Sequence, residues 1–500
     1  MQNRIEASKE VPLAYSVSKR SSFGIMLLIF RQIIVQGMNF SGGILLARFL
    51  SIEDYGFYGI VFFLFAFLNN FGDIGLGASI IKNSNEPNQD DFHTIFSAQV
   101  VLTLLASLVF LWLIPHICEL YGLSQDYSVY FYIIVLSFSV MVFRVIPTVT
   151  LERHLDFKWL TVSEIIQAFT YNFLACFLAY HNWGPYSFTL ALFARALIGV
   201  LIINFLKPTK YRFKLKWLVL KKHLKFGLPY QLAVFVNMLK DSFSPVIIGL
   251  ILGINKTGIV NMASTVAGIP IMLLFILNRL FFPAFSRAIN NKRLLHQLIK
   301  LSIRSSNIIV AVLSIFILIN VNDFIVLVFG DKWLVSKELF YFLWSANLFL
   351  PTSSVCMCIN NAAGQPKINL KISILWMIIT IGLGVPLLLK YGIFGFGIAN
   401  IVANISSVVL FYTSIKITSY NFVSDIFIGW LPAIILSPAV IFISRHTYEM
   451  NILTFAAIFA GYLVGSIFLF SLLSINEITE FWKNGNKFFF NPKSYEHCEP

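Results

Sequence analysis

Apolar residues along this chain come in long runs, divided by short polar breaks. A helix that crosses hydrocarbon needs about 20 predominantly apolar residues. Fourteen segments meet that length: 22–47, 57–81, 94–116, 128–150, 161–180, 186–206, 227–252, 259–285, 302–321, 338–362, 369–389, 392–415, 425–444 and 452–474. The connections are mostly short, and the longest internal one is 207–226. The pattern predicts an all-α polytopic membrane protein with about fourteen transmembrane helices.

Composition agrees with lipid as the solvent. Hydrophobic residues make up 58% of the 500 and charged residues 12%, with 51 Phe and a mean hydropathy of +0.79. Soluble domains carry about 45–50% and about 25%. A chain this apolar has too few polar groups to cover a soluble surface. The same runs exclude disordered, fibrous and disulfide-stapled classes. Five cysteines, Cys118, Cys176, Cys356, Cys358 and Cys498, show no metal or redox spacing and read as small hydrophobes. The first twenty or so residues are polar, so no cleavable signal peptide is expected.

The net charge of +14 would suggest nucleic acid in a soluble domain. Here its distribution gives another reading, and no nucleic-acid partner is expected. With the N-terminus inside, the cytoplasmic segments hold 26 Lys and Arg, counting Arg304 and Lys371 at the cytoplasmic edges of their spans, and the outside loops six. That split fixes both termini as cytoplasmic and supports an even span count, because one extra or missing helix would invert every later loop.

The chain also repeats itself. The segment from Leu50 through Gly56 resembles that from Leu252 through Gly258, at an offset of 202. Gly184 falls on Gly392 at an offset of 208, and Pro147 falls near Pro351. Ordered anchors at nearly one offset argue for duplication, with spans one to six matching seven to twelve in the same membrane sense. The expected organisation is a tail at 1–21, an N-lobe at 22–206, a basic cytoplasmic linker at 207–226, a C-lobe at 227–415, two extra spans within 416–474 and a cytoplasmic tail at 475–500. Paired six-helix bundles that meet at a seam can rock between two openings, which favours a transporter over a channel or a structural bundle.

Ionisable groups at membrane depth need a reason to be there. The candidates are Arg31, Asp73, Arg144, Glu164, Arg195, Lys240, Asp241 and Arg279, five basic and three acidic. Arg31 and Arg195 lie well inside their spans and are expected to line a wet cavity. Lys240 and Asp241 lie near the middle of span seven. Arg144, Arg279 and Asp73 sit nearer cytoplasmic ends, where snorkelling is the alternative. Glu164, one turn into span five, reads as interfacial. A cavity with surplus positive charge suits a polyanion, because the guanidinium fork matches phosphate oxygens. The expected substrate-binding set is therefore Arg31, Arg195, Arg279, Arg144 and Lys240. No nucleotide loop or nucleophile–base pair is present, and the eight His show no metal-ligand spacing. No cofactor is expected. An exchanged proton or ion would need a carboxylate that changes state. Asp241 is the first candidate and Asp73, beside a cluster of glycines that could let the helix bend, the second. The alternative for Asp241 is that it only neutralises Lys240.

The run beginning Leu50-SIEDYGFY resembles the second-span signature of bacterial polysaccharide flippases, on Leu50, Asp54, Tyr55, Gly56, Tyr58, Asp73, Gly75 and Leu76. Leu151, Glu152, Arg153, Leu155 and Phe157 match a segment after span four, Gly184, Tyr186 and Ser187 the opening of span six, and Lys225, Phe226, Gly227 and Pro229 that of span seven. Phe188 departs from the family's Leu. The resemblance covers roughly residues 20–420. It implies the multidrug/oligosaccharidyl-lipid/polysaccharide exporter superfamily, and within it flippases of the O-antigen, colanic-acid and teichuronic-acid type. These turn undecaprenyl-diphosphate-linked oligosaccharides from the inner to the outer leaflet of the bacterial cytoplasmic membrane, in the company of membrane lipid and polymerase or chain-length machinery. Related lipid II flippases use arginines in spans one and eight, where this chain has Arg31 and Arg279. A membrane polymerase or glycosyltransferase is the rival reading. It fits less well with short outside loops and duplicated halves. A drug or cation antiporter would call for twelve spans and an acidic pocket.

Overall fold

The computed structural model describes the backbone of residues 12–82, 87–153, 156–208, 212–242, 244–447 and 450–489. Within those stretches the side chains of 12–26, 28, 29, 71–73, 78, 81, 82, 226, 229, 230, 233, 236, 237, 240–242, 275, 276 and 475–489 are outside the description. Every regular element among the described residues is helical.

By internal contact the chain forms two compact units, residues 1–261 and 262–500. The first contains α1 (Pro12–Phe49), α2 (Ile52–Asp73), α3 (Leu76–Lys82), α4 (Gln89–Leu120), α5 (Ser128–Arg153), α6 (Phe157–Tyr180), α7 (Tyr186–Leu206), α8 (Trp217–Ser242) and α9 (Ser244–Leu252). Helix α10 (Ile254–Gly268) runs across the division. The second unit continues with α11 (Leu274–Ala288), α12 (Lys292–Ile319), α13 (Val321–Val328), α14 (Lys337–Asn347), α15 (Leu350–Ala362), α16 (Pro366–Gly382), α17 (Gly384–Tyr391), α18 (Ile393–Ile405), α19 (Ser407–Thr418), α20 (Val423–His446) and α21 (Ile452–Phe489).

Eleven helical segments among the described residues are long and apolar enough to cross a membrane, and each coincides with one of the fourteen segments read from the sequence. The other three, 22–47, 227–252 and 259–285, fall on α1, on α8 and α9, and on α10 and α11, and contain residues or side chains outside the description. The protein is thus an all-α, multi-pass membrane protein. The exposed surface of its spans is correspondingly apolar: Trp112, Phe173 and Phe205 are each at least 60% exposed, which in water would be a liability.

Several spans are interrupted, and the sequence says where. Proline has no N–H for the carbonyl four residues back. Pro270 lies in the short 3₁₀ turn between α10 and α11. Span two breaks at the expected glycine cluster. There Ile74 and Gly75 adopt left-handed backbone, with φ of 44° and 69°. A side chain on Gly75 would sit 2.2 Å from the Gly227 carbonyl oxygen, so only glycine lets α3 and α8 cross this closely.

The two stretches that the sequence aligned at an offset of 202 lie against each other. A Cβ on Gly56 would fall 2.1 Å from the Ile254 carbonyl oxygen, and one on Gly258 2.1 Å from that of Ile52. Ile52 and Ile254, the first residues of α2 and α10, are themselves 202 apart. The contact is therefore reciprocal, as across a local twofold axis. The second pair of anchors agrees in conformation, since Gly184 and Gly392 both take positive φ, 50° and 59°.

In the second unit, α12 packs along α20. Arg304 Nε donates to Asp425 Oδ1 at 2.8 Å, the Tyr420 hydroxyl donates to Asp425 Oδ2 at 2.7 Å, and Trp430 Nε1 donates to Asn307 Oδ1 at 2.8 Å. Arg304 and Asp425 are both buried. Tyr462 of α21 donates to the Ala433 carbonyl of α20. Together these tie the last two spans to the rest of the unit.

Candidate functional site

The polar interior of the first unit is organised by one face of α6. Glu164, Gln167 and Tyr171 are spaced i, i+3 and i+7, so their side chains share a stripe along the helix. Each meets an arginine from a different neighbour. Arg31 of α1 pairs with Glu164, Nη1 to Oε2, at 2.7 Å. Arg144 of α5 donates from Nη1 to Gln167 Oε1 at 2.7 Å. Arg195 of α7 lies over the Tyr171 ring, 5.9 Å from its centroid. Gln167 is oriented by its own bond to Ser163 Oγ at 2.9 Å, one turn back on α6. Tyr58 of α2 stands beside Tyr171.

The geometry leaves the cluster cationic. Among the described residues, one carboxylate touches the three guanidinium groups: Glu164, through Arg31. Glu164 and Arg195 also act electrostatically on Arg144, with Glu152 a smaller influence. A guanidinium has five N–H donors. Among the described residues, hydrogen bonds and ion pairs engage one nitrogen of Arg31, one of Arg144 and none of Arg195. The Arg31 and Glu164 side chains retain 15% and 32% of their exposure, so this end of the cluster is only partly buried. Such an array can hold a multiply charged anion by several charge-assisted hydrogen bonds.

The sequence-predicted residues divide as follows. Arg31, Arg144 and Arg195, from three different spans, are brought onto one helix face. Arg279 lies on α11 in the second unit with an exposed side chain. The side chains of Lys240, Asp241 and Asp73 lie outside the described residues. Glu164, read as interfacial from its place near a helix end, is bound to Arg31, and its i+3 and i+7 neighbours complete the stripe. That spacing of polar residues in an apolar span was the available signal. The four described cysteines are free, and three of them are buried.

The fold and this cluster define a multi-pass helical membrane protein with a cationic site in its first unit. It shares the fold of the lipid II flippase MurJ in its inward closed conformation, with a TM-score of 0.72 and 16% identity over 91% of this chain and 99% of that one. The chain belongs to the polysaccharide biosynthesis protein family, whose sequence model matches residues 45–338. It is 22% identical over 305 residues to the succinoglycan biosynthesis transport protein ExoT of Rhizobium meliloti (strain 1021), covering 59% of this chain and 60% of that protein. It is also 22% identical over 323 residues to the lipopolysaccharide biosynthesis protein WzxC of Escherichia coli (strain K12), covering 64% and 65%. The chain thus spans less than two thirds of the length of these relatives.

Proposed function

We propose that this protein is a flippase for undecaprenyl-diphosphate-linked oligosaccharide units, the repeat of an O-antigen, capsule or exopolysaccharide. It carries them from the inner to the outer leaflet of the bacterial cytoplasmic membrane, with both of its own termini cytoplasmic. The observation that carries the reading is the triple-arginine cluster on α6. A diphosphate has the charge and the oxygen geometry to bridge several guanidinium groups, and in a low-dielectric interior such contacts are stronger than in water. The family, the transport function in the name of ExoT and the fold shared with a lipid II flippase support the same class. The protein acts as a transporter and not as an enzyme.

In this mechanism two pseudo-symmetric six-helix halves, joined by the basic segment 207–226, alternate around a cationic cavity. Arg31, Arg144 and Arg195 receive the diphosphate from one leaflet, and Arg279 and Lys240 are the further candidates for contact with it. The oligosaccharide travels in the hydrated space, where sugar hydroxyls keep their hydrogen bonds. The interrupted helix beside Asp73 suits that carboxylate to a change of protonation or ion binding during the cycle, and Asp241 is the other candidate. Substrate is supplied by the glycosyltransferases that build it and consumed by a polymerase.

The test is surface polysaccharide in cells carrying Arg31→Ala or Arg195→Ala, with protein level monitored. Each substitution is expected to abolish polysaccharide without loss of protein, and Arg31→Lys to restore little, because lysine lacks the bidentate fork. Normal polysaccharide in both alanine variants would remove the assignment.

A further inference from the structure

A second buried polar cluster lies where α3, α4 and α8 meet, and it shares no residue with the arginine site. Ser79 of α3, Asp91 of α4 and His223 of α8 are 5%, 9% and 3% exposed. Ser79 Oγ lies 2.7 Å from His223 Nδ1, and His223 Nε2 lies 3.3 Å from Asp91 Oδ1.

Counting protons fixes what this arrangement contains. Ser79 has one hydroxyl proton, and its Oγ also stands 2.6 Å from the Leu76 carbonyl oxygen. That oxygen can only accept, so the hydroxyl proton goes to it. The contact with His223 therefore requires Nδ1–H as donor. Asp91 Oδ2 accepts from the Asn88 backbone N–H at 2.8 Å, which caps α4. The remaining oxygen, Oδ1, faces Nε2. With Nδ1 protonated, a neutral imidazole presents a lone pair at Nε2, and a carboxylate facing it would leave two buried acceptors opposed. One additional proton, held between Nε2 and Oδ1, removes the conflict and gives a buried ion pair.

We infer that Asp91 and His223 form a proton-binding site whose occupancy holds α8 against α3 and α4. The ligand is a proton, and it makes the joint. Other charges near it are already committed or point away. Asp90, the neighbour of Asp91 on α4, binds Lys214 Nζ at 2.6 Å and also Lys216. This carboxylate raises the proton affinity of Lys216 above its ordinary value. From α5, Arg153 donates to the Ile80 carbonyl of α3. On α8 itself Lys221, Lys222 and Lys225 are exposed. The backbone N–H of Lys214 donates to Ser97 Oγ at 2.8 Å, so the segment leading into α8 also lies along α4.

The sign follows from the proton being part of the contact. The joint is complete at low pH and opens as pH rises. In the proposed cycle this gives the first helix after the basic linker a seated state and a released state, selected by proton binding and release.

Hydrogen–deuterium exchange on the full-length protein in lipid nanodiscs tests this, read on the amides of 217–225 and corrected for intrinsic rates. The pH is raised from about 5.5 to about 8.5. Protection in wild type is expected to fall by about tenfold or more, as for loss of a hydrogen bond to a charged group. Asp91→Asn places an amide N–H against the Nε2 lone pair and still accepts from Asn88, so the joint closes without the extra proton. Its protection is expected to stay high and flat over the same range. A flat wild-type profile overturns the inference, as does an Asp91→Asn profile that falls like wild type. If Asp91→Asn does not assemble, the wild-type profile alone decides. None of these outcomes depends on which substrate is moved, so they stand apart from the arginine tests.

Discussion

Glu164→Gln removes the carboxylate that pairs with Arg31 and keeps its length and hydrogen-bonding shape. With Nη1 and Oε2 at 2.7 Å, the charge centres of the Arg31–Glu164 pair lie about 4 Å apart. At an effective dielectric of about 20 that separation corresponds to about 4 kcal/mol. The Glu164 side chain is 32% exposed, so water screens much of this attraction. About 1–2 kcal/mol is a realistic share for a partly exposed pair. An arriving phosphate must displace the carboxylate against that energy, and in Glu164→Gln it need not. Affinity for a diphosphate is therefore expected to rise about tenfold, which is about 1.4 kcal/mol. Turnover is expected to fall, because the same carboxylate helps to expel the ligand by reclaiming Arg31. Binding of inorganic pyrophosphate and of undecaprenyl diphosphate to the protein in nanodiscs, at fixed ionic strength, measures the first effect. Flipping of a fluorescent lipid diphosphate in proteoliposomes measures the second. Equal or weaker pyrophosphate binding by Glu164→Gln would show that Glu164 is not a competitor for the anion.

Two further predictions concern packing. Arg304→Met leaves Asp425 buried without its guanidinium and is expected to cost about 3–5 kcal/mol, while adding Asp425→Leu is expected to recover most of it; thermal unfolding of the two variants in detergent decides. Gly258→Ala forces apart the ends of α2 and α10 and is expected to lower the unfolding temperature. Gly43→Ala, a helical site with open space around it, is expected to be neutral or slightly stabilising.

Much of the architecture could be read from the chain because the membrane enforces it. Spans had to be apolar and long, so their positions followed from hydropathy. The interruption at Gly75 followed from backbone chemistry that belongs to a single residue type. The arginines stood out because charge in an apolar run is rare. Their grouping did not. Which face of each helix turns toward α6 depends on packing between segments up to 164 residues apart, as from Arg31 to Arg195. Glu164 was misleading alone, since its place near a helix end has an innocent explanation until Arg31 is seen beside it. The Ser79–His223 contact spans 144 residues and joins two types that carry no motif at that spacing.

The reciprocal contact of Gly56 with Ile254 and Gly258 with Ile52 has a consequence for the history of the gene. A surface that fits its own duplicate is self-complementary, so a half-length chain carrying one copy could pair with its twin through it. Fusing two such genes would preserve the handshake without inventing a new one. It would also leave the two copies mutually constrained. Each glycine has to stay bare for the sake of the other strand of the duplication, while sequence elsewhere in the halves is free to drift toward different tasks.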